Sequence, residues 1–250
     1  MIGICLRIGL RRLPREREKN RLDGHQNPPD QAPPRRSMSG KLQVAYQNVY
    51  NLYQNAHTFL EWCKGNEVDL AFLGEVWRDE EGSGTQTHPT YKLGSSVKKG
   101  RRVNVYWKHG LEVEVLKAED NMVVVEVAEG RIEGVYVNRK VKIQKTESFL
   151  TRLTKAVKGV KACILEDWNA HHPDWSLDGK TDDKGAQVAS SISNEGLELS
   201  EGAGATWERT WNRNLEQSRI DLAFIRDFNI PHTIKANLTS DHWVIVVELD

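Results

Sequence analysis

Residues 42–73 have the sequence LQVAYQNVYNLYQNAHTFLEWCKGNEVDLAFL, in which the spacing of the apolar residues changes twice along the chain. Leu42–Gln47 has the pattern of a strand, and the apolar residues that follow recur every three or four positions, as in an amphipathic helix. Val68–Leu73 is then a short apolar run interrupted only by Asp69, which is typical of a strand that is buried on both faces. The stretch therefore predicts a strand, helix, strand unit at the start of a domain.

The residues that follow this unit predict strands and helices in a mixed order. Four short β-rich runs separated by turn or charged residues predict antiparallel hairpins: Val103–Trp107, Leu111–Leu116, Met122–Val127 and Ile132–Val137. Helices are predicted around residues 149–160 and 188–197, and further strands at Ala162–Leu165, Thr206–Thr210, Ile220–Ile225, Thr233–Ala236 and Trp243–Leu249. Runs of strands with helices inserted between them predict an α/β fold, a four-layer α/β sandwich in which two stacked mixed β-sheets are flanked by helices.

The residues that precede this unit differ in composition from the rest of the chain. They contain five of the eight prolines and almost no apolar periodicity, so residues 1–40 are predicted to be a disordered, basic, proline-rich extension. Such a segment either tethers a polyanion or is an inert leader. Residues 41–250 are predicted to form one domain, because no Pro/Gly linker marks a split after residue 140.

The charges are divided unevenly between these two parts. The chain has 35 Lys and Arg residues and 35 Asp and Glu residues, of which residues 1–40 hold 9 and 4, leaving 26 and 31 for residues 41–250. The predicted domain is therefore acidic, which argues against a protein that coats DNA by charge alone. Specific chemistry on a phosphate group is compatible with this charge.

Residue patterns exclude two further classes of protein. No apolar run reaches the roughly 20 residues of a membrane helix, so no association with a membrane is expected. The three cysteines are widely spread and show no CxxC or Cys/His spacing, which argues against both a disulfide framework and a structural zinc site. We therefore expect a reducing, intracellular compartment.

Polar side chains recur at the ends of the predicted strands. In a sandwich with mixed strand directions, the C-terminal ends of some strands and the N-terminal starts of others lie along one edge, so we expect these side chains to meet there. They are Asn48, Glu75, Asp167, Asn169, Asp221, Ser240, Asp241 and His242. Each of them could also be an ordinary turn or cap residue, a role that Asp and Asn often have at strand ends.

Four carboxylates at one edge would repel one another, since two like charges ~4 Å apart cost about 4 kcal/mol at an effective dielectric of roughly 20. Protonation would relieve this repulsion, but a divalent cation suits several carboxylates and an amide oxygen better. Hard oxygen ligands favour magnesium, manganese or calcium over zinc. Because magnesium often bridges carboxylates to a substrate phosphate, the pattern predicts phosphoester chemistry.

The remaining polar residues fit the hydrolysis of a phosphoester. Asp221 could hold His242 in its cationic form, which stabilises charge that develops on phosphate oxygens. Asp167 is a candidate to orient or deprotonate a water molecule, and Asn169 to position that water or to donate to a phosphate oxygen. The sequence has no Ser or Cys nucleophile motif and no Walker-type glycine loop, so direct attack by water is predicted.

A basic cluster stands at a predicted hairpin tip and includes Lys98, Lys99, Arg101 and Arg102. It is either a solvated turn or a contact to a DNA backbone, in which case Arg101 and Arg102 are predicted substrate-binding residues.

Six segments resemble, in this order, the motifs of the endonuclease/exonuclease/phosphatase family, which includes apurinic-site endonucleases, deoxyribonuclease I, inositol polyphosphate 5-phosphatases and neutral sphingomyelinases. They are Gln47-Asn48, Gly74-Glu75, Val135-Tyr136-Val137, Asp167-Trp168-Asn169-Ala170-His171-His172, Ser218-Arg219-Ile220-Asp221-Leu222 and Ser240-Asp241-His242. Within the family, Asn169–Trp175, and Thr206-Trp207 ahead of Ser218–Leu222, look most like the endonuclease domain of LINE-type, non-LTR retrotransposons.

This resemblance implies a magnesium-dependent endonuclease in the nucleus that nicks DNA to prime reverse transcription, with manganese as a substitute cation. The implied metal-binding residues are Glu75, as the main ligand, and Asn48 and Asp241. The implied catalytic residues are Asp167, Asn169, Asp221, His242 and Tyr136. Of these residues, Asn48 and Asn169 are also predicted to contact the substrate.

Three features depart from the family pattern. Glu166 stands where the family usually has Gly, so a carboxylate would add charge beside the proposed cation and exclude any conformation that only Gly adopts, which predicts reduced or lost activity. Asn138 and Arg139 follow Tyr136-Val137, where Pro is common, so the loop is expected to have a different shape. The sequence ends at Asp250 without a reverse transcriptase, and we therefore expect a free-standing or truncated endonuclease domain.

Two other functions remain alternatives to the endonuclease. The same residues could serve a phosphatase or phospholipase that acts on a small phosphoester. The chain could also be a catalytically decayed binding module derived from a mobile element.

Overall fold

The computed structural model describes residues 40–50, 52–76, 87–94, 102–139, 143–202, 204–212, 214–229, 234–236, 238 and 240–250. These residues all fall within the unit Pro34–Asp250. Residues 1–39 of the predicted extension and the basic residues Lys98, Lys99 and Arg101 lie outside the described residues. The domain boundary at residue 40 therefore stays a prediction.

Strands and helices alternate irregularly along the described residues. In chain order the elements are β1 (Leu42–Asn48), α1 (Leu52–Gly65), β2 (Leu70–Gly74), β3 (Tyr91–Leu93), β4 (Val103–Lys108), β5 (Glu114–Ala118), β6 (Met122–Val127), β7 (Gly130–Tyr136), α2 (Ile143–Val157), β8 (Ala162–Asp167), α3 (Asp183–Asn194), β9 (Glu198–Leu199), β10 (Trp207–Trp211), β11 (Asn214–Ser218), β12 (Asp221–Arg226), β13 (Ile234–Ala236) and β14 (Val244–Leu249).

Two six-stranded sheets contain most of these strands, and each has one parallel pair at its centre. The first sheet has the order β13-β14-β1-β2-β4-β3, with β1 parallel to β2 and the other pairs antiparallel. The second has the order β5-β6-β7-β8-β12-β9, with β7 parallel to β8 and the other pairs antiparallel. The strands β10 and β11 form a separate antiparallel hairpin.

Side chains along the central strands alternate between the core that separates the two sheets and the outer face that the helices cover, and this alternation produces the four layers. In β2, Leu70 and Phe72 point into the core between the two sheets, whereas Ala71 and Leu73 point to the opposite face and pack with apolar residues of α1. Apolar residues of α2 and α3 pack on the outer face of the second sheet. The predicted four-layer α/β sandwich is therefore confirmed. No helix among the described residues has the length and apolar character needed to cross a membrane.

The two sheets approach each other closely where β7 carries a glycine. A Cβ atom on Gly134 would lie 2.1 Å from Cδ1 of Phe72 on the facing sheet, a separation that two carbon atoms cannot adopt without movement. Residue 134 therefore has to be a glycine, because the phenyl ring of Phe72 occupies the space that a side chain would need.

Some predicted elements differ from the observed ones. The strand predicted at Leu111–Leu116 is β5, Glu114–Ala118, whose residues are mostly half-buried because it lies at a sheet edge. The third helix ends at Asn194, so Leu197 lies outside it. The strands β3, β9 and β11 were not predicted, because two of them are only two or three residues long and the third is polar and exposed.

Removing a buried side chain from the core between the sheets should destabilise the protein. Leu70 is completely buried, and we expect Leu70→Ala to lower the free energy of unfolding by about 2–5 kcal/mol, because a cavity adds to the lost burial. The measurement is urea-induced unfolding followed by circular dichroism. Leu116→Ala is the matched control, since Leu116 is 40% exposed, and should change the value by less than about 1 kcal/mol. Equal effects of the two substitutions would contradict the assignment of this core.

Candidate active site

The predicted site residues lie along one edge of the sandwich because of the directions of the central strands. The strands β1, β2, β7 and β8 end at this edge, and their antiparallel neighbours β12 and β14 begin there. Asp167 is paired in register with Tyr136 on one side and with Asp221 on the other. On the facing sheet, Asn48 is in register with Gly74, the residue before Glu75.

Asn48 connects the two sheets at this edge. Its Nδ2 atom donates to Glu75 Oε2 and to Asp167 Oδ2, both at 2.9 Å. Its Oδ1 atom accepts a hydrogen bond from the backbone N–H of Tyr50 at 2.9 Å. The amide of Asn48 thus places positive partial charge between two carboxylates that would otherwise repel each other.

Asp167 is fully buried, and its carboxylate is the centre of the site. Its Oδ1 atom accepts from Nδ2 of Asn169 at 2.8 Å and from the backbone N–H of Asn169 at 3.2 Å. Burial, together with the negative charges of Asp221 and Glu75, raises the pKa of Asp167 to about 7, although His242 and the hydrogen bond from Asn48 oppose this rise.

Asp221 and His242 form a buried pair beside Asp167. Nδ1 of His242 lies 2.9 Å and 3.1 Å from the two carboxylate oxygens of Asp221. Burial by itself would lower the pKa of His242, but the carboxylates of Asp221 and Asp167 outweigh this effect and raise the pKa to about 10. The imidazole is therefore a cation at neutral pH, held by Asp221 as the sequence predicted.

Three further residues fix the backbone around the pair. Thr206 Oγ1 accepts from the backbone N–H groups of Ile220 and Asp221 at 3.0 and 2.9 Å. Gln47 Nε2 donates to the carbonyl of His242 at 2.9 Å, and Ser240 Oγ donates to the carbonyl of Asn48 at 2.7 Å. The sequence predicted that Ser240 lies at this edge but assigned no catalytic or binding role to any of the three. The available signal was their position in or beside the segments that resemble the family motifs.

An open cleft of about 720 Å³ lies above these groups. Tyr136 lines it, and burial followed by the charges of Glu75 and Asp167 raises the pKa of Tyr136 well above its usual value. The cleft is also lined by cationic side chains that the sequence did not assign to the site: Arg139, Lys180 and Arg209. Two acidic side chains, Asp178 and Glu216, line the cleft as well, and Lys180 is paired with Asp178, so Arg139 and Arg209 are the cations best suited to contact an anionic substrate.

Two predicted residues are placed differently from the rest. Asp241 lines the cleft but is exposed, and its Oδ2 atom accepts from the indole N–H of Trp207 at 3.0 Å. Arg102 is half-buried and does not line the cleft, although its charge acts on Tyr136. Arg101 lies outside the described residues.

Glu166 does not face the candidate site. Because side chains alternate along β8, Asp167 points to the edge between the sheets, whereas Glu166 lies on the outer face with Ala162 and Ile164, which pack beneath the helices. Burial raises the pKa of Glu166 well above its usual value, which favours the neutral form of its carboxyl group. Glu166 is also absent from the residues with positive φ, so this position requires no glycine-only conformation. The two effects predicted for this residue therefore do not arise from this geometry.

The oxygen atoms at the edge fit a hard divalent cation. Asp167, Asp221 and His242 each offer a ligand atom within 4.8 Å of the others, but a cationic imidazole bonded to Asp221 has no lone pair for a metal. The carboxylate of Glu75, which accepts from the same Asn48 amide as Asp167, is a better candidate. A cation there would relieve the repulsion that contributes to the raised pKa of Asp167.

The charge state of His242 can be measured directly by NMR titration of its imidazole. We expect a midpoint near pH 10 in the wild-type chain and a fall towards or below 6.5 in Asp221→Asn, because one carboxylate no longer offsets burial. Since the folded-state pKa is raised, the stability that the pair contributes is fully present below about pH 6.5 and is lost as the pH rises to about 10.

Asp174→Asn serves as the control, because Asp174 is exposed and contacts His172 instead of His242. A His242 midpoint near 6.5 in the wild-type chain would show that the pair is not ionic.

Comparison with known proteins agrees with this geometry. Residues 131–246 match a family model described as Endonuclease-reverse transcriptase. No curated protein matches the sequence.

Three solved structures illustrate the similarity of fold. The endonuclease domain of TRAS1, a telomere-specific non-LTR retrotransposon, has a TM-score of 0.69 at 18% identity and covers 83% of this chain and 98% of its own. The 3′ phosphatase NExo from Neisseria, bound to product DNA hairpin, has a TM-score of 0.62 at 17% identity, covering 84% and 99%. An AP endonuclease from Archaeoglobus fulgidus has a TM-score of 0.60 at 17% identity, with the same coverage. The resemblance predicted from the motifs is thus confirmed: residues 131–246 match the Endonuclease-reverse transcriptase family, and the chain has the fold of the endonuclease/exonuclease/phosphatase family.

Proposed function

We propose that this chain is a magnesium-dependent phosphodiesterase that nicks DNA by direct attack of water on a phosphodiester. One observation carries the proposal: a buried Asp221–His242 ion pair lies beside the buried carboxylate of Asp167 at the floor of an open cleft. This arrangement provides a fixed positive charge next to a proton acceptor, which is what hydrolysis of an anionic ester requires.

In this proposal Asp167 orients the attacking water and accepts its proton. Its carboxylate is held on both oxygens, by Asn48 on one and by Asn169 on the other, so the acceptor has a fixed direction. Nδ2 of Asn169 also donates to the carbonyl of Val137 at 3.2 Å, which keeps the amide beside Asp167. Asn169 then positions either the water or a phosphate oxygen.

His242 stabilises the negative charge that develops on the phosphate. Its Nδ1 atom is bonded to Asp221, which orients the ring and favours its cationic form. Because the ring is almost fully buried, water screens its charge weakly, and a fixed cation is most effective under these conditions. Tyr136, in register with Asp167 on the neighbouring strand, is placed to donate to the same phosphate.

Glu75 would be the main ligand of the divalent cation, with Asn48 beside it, which leaves the Asp167 carboxylate to accept the proton of the water. When bound, Mg²⁺ supplies positive charge to the phosphate oxygens and to the leaving group. Mn²⁺, which also prefers oxygen ligands, is expected to substitute for it. Asp241 is proposed to lie close to the cation, although its carboxylate is bonded to Trp207 in this structure.

DNA is the substrate that the similarities favour over a small phosphoester. The TRAS1 domain is named as an endonuclease of a retrotransposon, and NExo is described with a DNA product. The cleft here is open, and Arg139 and Arg209 among its lining residues are suited to contact a nucleic-acid backbone. An endonuclease with such a substrate would act in the nucleus.

Incubation of supercoiled plasmid with the purified chain tests the proposed activity. We expect conversion to the nicked form with Mg²⁺ or Mn²⁺ and none with a chelator. Asp167→Asn and His242→Ala should each lower the rate by about 10²-fold or more, because the first removes the proton acceptor and the second the fixed cation.

Asp174→Asn and His109→Ala are matched controls at exposed positions that do not line the cleft, and both should retain the wild-type rate. Release of inorganic phosphate from inositol phosphates without nicking would instead support a phosphatase. Absence of both activities would support a catalytically silent binding module.

Substitution of Glu166 tests whether this residue lowers the activity, as the sequence predicted, or has little effect, as its position on the outer face indicates. Because Glu166 lies on the outer face, Glu166→Gln should leave the nicking rate within about threefold of wild type. Burial raises the pKa of Glu166, so the free-energy cost of burying it grows as the pH rises above its usual 4.5, and Glu166→Gln should be the more stable chain at pH 8 by urea unfolding. A large gain in nicking by both Glu166→Gln and Glu166→Gly would show that the carboxyl group impairs the site, and a gain by Glu166→Gly alone would show that the side-chain volume or the backbone conformation at residue 166 does.

A further inference from the structure

We infer that the first turn of α3 is a positioning device for the segment Asn169–His171, and that Asp182, Lys184 and Gly185 carry this role. The inference rests on the proposed function, in which Asn169 positions water or phosphate. None of the three residues contacts the reacting atoms, so each acts through the backbone of the segment that it holds.

The backbone conformation of Asn169 is held by its surroundings. Its φ is 48°, in the left-handed region, which Asn adopts more readily than most L-residues but which local contacts still have to maintain. Asp167 and the carbonyl of Val137 hold Asn169 from the sheet side. A second set of contacts is available on the opposite side, from α3.

Asp182 binds both backbone groups of His171. It is the N-cap of α3, and its Oδ1 atom accepts from the backbone N–H of Gly185 at 2.7 Å. Its Oδ2 atom accepts from the backbone N–H of His171 at 3.2 Å, and its own N–H donates to the carbonyl of His171 at 2.9 Å. One side chain therefore joins the start of α3 to a residue that lines the cleft.

Gly185 allows the helix to lie directly against this segment. A Cβ atom at residue 185 would lie 1.8 Å from the carbonyl oxygen of His171, and the backbone would have to move to admit it. Glycine is a poor helix former, so a buried glycine in the first turn is best explained by this contact. Any larger residue would push α3 and the segment apart.

Lys184 contacts Asn169, the residue that positions water or phosphate in the proposed function. Its Nζ atom donates to the carbonyl oxygen of Asn169 at 3.4 Å, from a half-buried position. Together, Lys184 and Asp182 contact Asn169 O, His171 N and His171 O from one helical turn. The direction of the Asn169 amide relative to Asp167 is therefore set by α3 as well as by β8.

The test combines amide exchange with kinetics on the whole chain. The variants are Lys184→Met, its conservative counterpart Lys184→Arg, and Gly185→Ala. The controls are Gly65→Ala, where an added Cβ meets nothing within 4 Å, and Lys155→Met, an exposed lysine of α2. Hydrogen exchange at the amides of Asn169 and His171 is measured by NMR, with amides of β1 reporting global opening.

Lys184→Met and Gly185→Ala should raise exchange at Asn169 and His171 by about tenfold or more while β1 stays protected. In the nicking assay with Mg²⁺ they should lower kcat by about 10- to 100-fold with KM nearly unchanged, because misplacement affects the reacting geometry more than binding. Lys184→Arg should restore most of kcat and protection, and neither control should change them.

Unchanged exchange at both amides in Lys184→Met would overturn the inference, as would a uniform rise at all amides, which indicates a merely structural role. Altered exchange with an unchanged kcat would overturn it as well. If the wild-type chain does not nick DNA, the proposed function fails, and exchange alone then decides whether this turn holds the segment. If Gly185→Ala does not fold, Lys184→Met and Lys184→Arg decide the outcome.

Discussion

The burial of the Asp167 carboxylate is the constraint on which the rest of the site depends. A carboxylate without solvent needs donors on its oxygens, and two neighbouring carboxylates, Asp221 and Glu75, increase that need. Asn48 and Asn169 supply the hydrogen bonds, and His242 supplies the opposite charge. Because Asn48 is on the first sheet and Asp167 on the second, the same bond that satisfies the carboxylate joins the two sheets at their functional edge.

The topology makes this meeting possible. Each sheet has a parallel pair at its centre, β1 with β2 and β7 with β8, flanked by an antiparallel strand that begins where the pair ends. Strand ends and strand starts from distant parts of the chain thus occupy one edge. Short polar side chains stabilise the backbone at this edge. Thr206 accepts a hydrogen bond from the backbone N–H of Asp221, and Ser240 donates one to the backbone carbonyl of Asn48.

The outer face of the second sheet affects the site indirectly. Glu166 and Glu133 are both buried there, and burial raises the pKa of each, which favours the neutral form of both carboxyl groups. On the same side, α3 contacts the backbone just beyond Asp167. One strand, β8, therefore presents the central carboxylate to the cleft on one face and packs against helices on the other.

The sequence alone determined the fold class, the order of the main strands and helices, and the residues that would stand at strand ends. These follow from periodicity and turn chemistry, which are local properties. The identity of the hydrogen-bond partners was decided by tertiary structure, because Asn48 and Asp167 are 119 positions apart and meet only when two sheets pack. The position of Glu166 could not be predicted from the sequence for the same reason. The predicted strand ended at Leu165, whereas β8 continues to Asp167. Because side chains alternate along a strand, Glu166 and Asp167 point to opposite faces of the sheet. Which carboxylate enters a site depends on where pairing with neighbouring strands ends, and residues far away along the chain determine that point.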